Sequence, residues 1–113
     1  MTNKDKALRT FDSGFNCAQA VFSAYAESLG LSRQDALRVS APFGGGIGRS
    51  GNACGAVTGA LMALGLKYGA TEPDQQAKER MYAIAQEFMA RFTARHGSVI
   101  CRELLQADIS TPE

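Results

Sequence analysis

Three cysteines carry the reactive chemistry of this 113-residue chain, and each follows a helix-start signal within three residues. Asn16 immediately precedes Cys17, Asn52 lies two residues before Cys54, and Ser98 lies three residues before Cys101. Asn and Ser favour N-cap positions because their side-chain oxygens accept hydrogen bonds from the free N–H groups of a first turn. A glycine stands one or two residues upstream of each cap (Gly14, Gly51, Gly97) and marks the turn into the helix. This spacing predicts all three thiols in first turns, where the macrodipole is positive. Such a field favours thiolate, the form that attacks disulfides and binds metals. A cysteine in a helical core can also be only a small hydrophobe. Three in the same local setting argue for thiol chemistry, and Cys54 combines a helix start, neighbouring glycines and Arg49.

Other chemistries find less in the sequence. There is no CxxC and no His-rich tract. A metal site would need Cys17, Cys54 and Cys101 to converge with His96, a donor set that suits Zn²⁺. A four-thiolate iron–sulfur site lacks one donor. His96 otherwise ends the fifth helix, where a cation offsets the dipole. No nucleophile elbow surrounds it, so Ser-His-Asp hydrolysis is not predicted. Gly46 to Gly51 matches GxGxxG, but the dinucleotide fingerprint needs a preceding strand, and helical sequence precedes it here. The remaining reading is a flexible loop feeding a helix N-terminus, with Arg49, Gly48, Gly51 and Gly55 placed to bind a substrate or other anion.

The elements that would position these residues are helical. Apolar residues recur at helical spacing, and no segment alternates with period two. A first helix holds Ala7, Leu8 and Phe11 and ends near Ser13. A second begins at Cys17, buries Ala18, Val21, Phe22, Tyr25 and Leu29, and stops at Gly30. Ser32 caps a third over Arg33 to Val39, with Asp35 as the acidic partner of a capping box. After the glycine-rich loop, a fourth helix runs from about Ala53 to Tyr68. A fifth runs from near Pro73 to His96 and packs a stripe of Met81, Ile84, Ala85, Phe88 and Phe92 on the core. A short last helix spans Cys101 to Leu105. Gly51, Gly55 and Gly59 share one face of the fourth helix. Interior glycines cost roughly 1 kcal/mol each against alanine, so they predict close backbone approach, within the chain or across a homodimer.

The fold class is therefore all-α, a single compact bundle of five to six short helices forming one domain over residues 1–113. Twelve basic and eleven acidic residues leave a net charge of +1 with no basic stripe, which excludes nucleic acid as a partner. The uncharged run from Ser50 to Leu66 is short for a bilayer span and diluted by glycine. The polar N-terminus carries no export signal, and an odd number of cysteines argues against a secreted disulfide scaffold. The expected compartment is the cytoplasm.

Four segments in this order, Asn16-Cys-Ala-Gln-Ala-Val21, Phe43-Gly-Gly-Gly-Ile-Gly48, Cys54-Gly-Ala-Val-Thr-Gly59 and Cys101-Arg-Glu-Leu-Leu105, resemble the C_GCAxxG_C_C family of redox-active proteins. The resemblance implies small proteins with four characteristic cysteines and genes often close to transporters. Cys17, Cys54 and Cys101 match the first three cysteines, and the chain to Glu113 lacks the fourth. If the fourth pairs with the third in the family, Cys17 and Cys54 are the couple left here.

The expected function is thiol–disulfide oxidoreductase chemistry. Cys54 is the attacking thiolate, Cys17 the resolving thiol and Cys101 an auxiliary, with a small thiol or a partner-protein disulfide as substrate. The alternative is a metal- or small-ligand-binding module without turnover, accessory to a transporter, with Zn or another metal ion on Cys17, Cys54, Cys101 and His96.

Overall fold

The computed structural model describes residues 2–105. It is all-α, with helices α1 (Asn3–Asp12), α2 (Cys17–Ala26), α3 (Arg33–Ser40), α4 (Gly55–Tyr68), α5 (Gln75–His96) and α6 (Cys101–Leu105). Short 3-10 turns follow α2 and α3. No helix among the described residues is long and apolar enough to cross a membrane.

Local chemistry sets most helix starts. Asn16 caps α2 in a reciprocal box: its side chain accepts from the Gln19 N–H at 2.9 Å, and Gln19 Oε1 accepts from the Asn16 N–H at 3.1 Å. Ser32 Oγ accepts from the Asp35 N–H and starts α3. Asp74 accepts from the N–H groups of Gln76 and Ala77 and starts α5, two residues after the expected Pro73. α1 begins earlier than its apolar residues indicate, because Thr2 and Asp5 form a second capping box.

α2 is the central helix, contacted by α1, α3 and α4. The expected single apolar stripe is corrected here. Ala18, Ala20, Phe22, Ser23, Ala24 and Ala26 are buried around the helix, whereas Tyr25 is 43% exposed. Alanines on several sides let three neighbours approach at once, so burial goes to the small residues and the large Tyr25 is left at the rim. Val57 of α4, fully buried, and Ala36 of α3 complete the interior.

The glycine face of α4 packs on α2 of the same chain. A Cβ at Gly59 would stand 2.9 Å from the Ala18 carbonyl oxygen, and one at Gly55 would stand 2.9 Å from the Ala18 nitrogen. The face that suggested a second copy is thus filled internally. Gly65, nearly two turns further on, meets nothing within 4 Å. Gly65→Ala should therefore stabilise the fold by about 0.5–1 kcal/mol through helix propensity alone, read as a rise in the urea midpoint at constant m-value.

α5 is a second correction. Its stripe was expected to pack on the core, yet none of its 22 residues is buried. Met81, Ile84, Ala85, Phe88 and Phe92 are only half-buried. The helix lies on the outside of α4, which covers one side of a stripe too wide for a single neighbour.

Candidate functional site

Residues 44–52 form the floor of the candidate site. Gly45, Gly46, Ile47, Gly48 and Arg49 all have positive φ, between 59° and 71°. The segment is thus a left-handed turn, conformationally open to glycine and unfavourable for Ile47 and Arg49. Its amides are used internally. Gly48 donates to the Pro42 carbonyl, Arg49 to Gly44, Ser50 to Ile47, Gly51 to Gly45 and Asn52 to Gly46. The expected flexible anion cradle is therefore absent: the loop is closed on itself, and Gly48 and Arg49 are exposed on its outside. Among the described residues, the Arg49 side chain makes no hydrogen bond or ion pair.

The closed loop delivers Asn52–Cys54 as an extended strip beside Val99–Cys101. Cys54 N–H donates to the Val99 carbonyl at 2.7 Å and Cys101 N–H to the Asn52 carbonyl, so Ala53 and Ile100 form an antiparallel bridge. Side chains alternate across such a strip. Cys54 and Cys101 each follow the bridged pair by one residue, so the bridge holds the two cysteine-bearing segments side by side. The strip also changes the capping. Asn52 does not cap α4, because its backbone serves the bridge and its side chain donates to Ser50. Cys54 itself is the N-cap residue, and its side chain makes no capping bond.

Cys17 comes to the same corner through the glycine packing. It is the first residue of α2, and a Cβ at Gly55 would lie 3.2 Å from the Cys17 Cβ. Gly46 does the same for Cys101, where a Cβ would lie 2.7 Å from the Cys101 Cβ. Gly51 is buried beneath the Arg102 side chain. The structure thus assembles Cys17, Cys54, Cys101, Gly51 and Gly55, and leaves Arg49, Gly48 and His96 out of the cluster. His96 packs against Phe92 in a tilted arrangement, with centroids 4.5 Å apart. Among the described residues, no three His, Cys, Asp or Glu side chains are grouped to hold a metal. Sequence reading placed Asn16 as a cap but missed its second role: the side chain also donates to the Ala41 carbonyl and packs on Gly44. It also missed Gly46 and the Val99–Ile100 strip, which is too short to show alternation.

The family model described as "Putative redox-active protein (C_GCAxxG_C_C)" matches residues 15–113. The chain belongs to this family. An uncharacterized protein of Archaeoglobus fulgidus is 31% identical over 109 residues, 89% of this chain and 72% of the relative. No solved structure matches the chain.

In this C_GCAxxG_C_C protein all three thiols are free, with Cys17 exposed, Cys54 half-buried and Cys101 buried. Their electrostatics correct the expectation of uniformly activated thiolates. Desolvation pushes the Cys17 thiol above its ordinary value, the Cys54 charge adds to that, and only the backbone amide of Cys17 itself opposes. Cys101 is also pushed up, by desolvation first, then by Cys54 and Cys17. The helix-end field is outweighed by burial and by like charge from neighbouring sulfurs. Cys54 is the one thiol felt by both others.

A pH dependence follows. Alkylation of Cys17 by iodoacetamide should be slower at neutral pH than that of an unstructured cysteine, and should still be rising above the ordinary thiol range. A midpoint at or below that of a free cysteine contradicts this. For stability the sign is the same: the folded state holds these protons more tightly, so the contribution is present at neutral pH and is lost as pH rises through the folded-state values.

Proposed function

We propose that the chain is a thiol–disulfide redox protein whose working pair is Cys54 and Cys17, with Cys101 as a buried third thiol. The observation that carries this reading is the meeting of three free thiols at one corner, where Cys17 packs against Gly55 beside Cys54, with the charge coupling of Cys54 to both other thiols. Cys54 is central to that coupling, and as an N-cap residue with no capping bond its sulfur is uncommitted. Cys54 thiolate attacks a substrate disulfide RS–SR, forms a Cys54–SR mixed disulfide and expels RS⁻. Cys17 then attacks the Cys54 sulfur and expels the second RS⁻. Two protein thiols become one disulfide, the substrate gains two electrons, and the two protons go to the leaving thiolates. The exposure of Cys17 and the partial burial of Cys54 suit a small disulfide or an extended protein segment. The experiment is a titration of reduced protein with oxidised glutathione. The expected result is loss of two thiols per chain and release of two glutathiones. Loss of a single thiol, as a stable adduct, contradicts an internal pair.

A further inference from the structure

Ser23 lies mid-way along α2 with 1% exposure, and its hydroxyl has no hydrogen-bond partner among the described residues. A buried unpaired hydroxyl costs free energy and calls for a reason. Ser23 lines a cavity of about 240 Å³ walled by Lys6 and Arg9 of α1, Glu27 just after α2 and Arg33 of α3. Thr10, 3% exposed, closes it, and its hydroxyl accepts from Arg33 Nη1 at 3.2 Å. Among the described residues the one ion pair is Glu87 with Arg91. Lys6, Arg9 and Arg33 therefore face the cavity side of the molecule without a carboxylate inside 4 Å, and outnumber the single acid, Glu27. Three cations without a carboxylate partner, gathered over an orphan buried hydroxyl, leave donors in excess of acceptors.

We propose that this cavity binds a small oxyanion of the phosphate class, with Lys6, Arg9 and Arg33 neutralising it and the Ser23 hydroxyl donating to one of its oxygens. Glu27 selects the class. Hydrogen phosphate carries its own O–H, as does the singly ionised form of a phosphate monoester, and can donate it to the Glu27 carboxylate. Sulfate carries no proton at neutral pH and would set acceptor against acceptor. The cavity is below the usual range for drug-sized ligands, roughly 300–1,000 Å³, which fits free phosphate or a short phosphate monoester. No cysteine takes part, so the site stands or falls independently of the thiol reading.

Calorimetric titration of the full chain at neutral pH with inorganic phosphate, glycerol 3-phosphate and sulfate tests this. The expected result is one saturable site for a phosphate compound, with sulfate at least about tenfold weaker. Tighter binding of inorganic phosphate assigns the site to the free ion, and tighter binding of glycerol 3-phosphate assigns it to a monoester. Arg33→Gln and Ser23→Ala should each weaken binding about tenfold or more, as expected for a lost hydrogen bond to a charged group. In phosphate-free buffer Ser23→Ala should melt no lower than wild type, because it removes an unpaired hydroxyl. No saturable binding, sulfate binding as tight as phosphate, or unchanged affinity in Ser23→Ala overturns the proposal.

Discussion

Cys54→Ser should reduce exchange with oxidised glutathione to background, on the order of a hundredfold or more, the scale expected when a nucleophile is removed. It should do so without unfolding the chain. The Cys54 side chain makes no capping bond, and the bridge to Val99 uses only its backbone. The same substitution has a second, physical signature. The Cys54 charge is the second cause raising Cys17, after desolvation, so removing it should move the alkylation midpoint of Cys17 downward. A merely structural role for Cys54 would not move that midpoint. Cys17→Ser should behave differently, retaining the first attack and accumulating a Cys54–glutathione adduct. If Cys54→Ser keeps both wild-type exchange and the wild-type Cys17 midpoint, the central role of Cys54 is wrong.

Gly59→Ala should destabilise the fold, although alanine is the better helix former. Its new Cβ would meet the Ala18 carbonyl oxygen at 2.9 Å, Val21 Cβ at 3.2 Å and the Phe22 nitrogen at 3.3 Å. Two of these three are backbone atoms, which no rotamer change can move, so α2 and α4 must separate. Overpacking of this kind costs about 1–3 kcal/mol, against roughly 1 kcal/mol gained in propensity. The net expected loss is about 0–2 kcal/mol, and the two immovable backbone contacts place Gly59→Ala toward the upper end. Gly59→Val should lose about 3 kcal/mol, since the branched side chain enlarges the clash and brings no comparable propensity gain. A domain of this size has only about 5–15 kcal/mol in total, so either change is visible as a lower urea midpoint. The contrast with Gly65→Ala isolates the cause, because both substitutions add one methyl to the same helix. Equal stabilisation by both would show that α4 does not pack on α2 through its glycines.

The glycines illustrate what the sequence could tell. Gly55 and Gly59 at four-residue spacing announced a close helix contact, but the signal is the same for an internal partner and a second copy. Only the all-round burial of α2 decides it, and that was hidden because alanines at every register blur a single stripe. Asn16 and Ser32 were legible as caps because a side chain three residues before its N–H partner needs nothing from afar. Asn52 was not, because the competing partner, the Val99–Cys101 strip, lies more than forty residues away in sequence. The left-handed run was half legible. Gly45, Gly46 and Gly48 permit positive φ, whereas Ile47 and Arg49 are residue types that avoid it. Reading the thiols from the caps alone predicted acidic cysteines. The helix-end field is local and visible in sequence, but the desolvation of Cys17 and Cys101 and the like charge of neighbouring sulfurs that outweigh it there arise only when three distant segments meet.

The central claim is that Cys54 and Cys17 form a redox couple at this corner. The most direct measurement is peptide mapping of the protein after stoichiometric oxidation under native conditions. The account predicts a Cys17–Cys54 disulfide as the main product, with Cys101 still reduced. Three thiols that survive oxidation unlinked, or a dominant bond that omits Cys54, would contradict it.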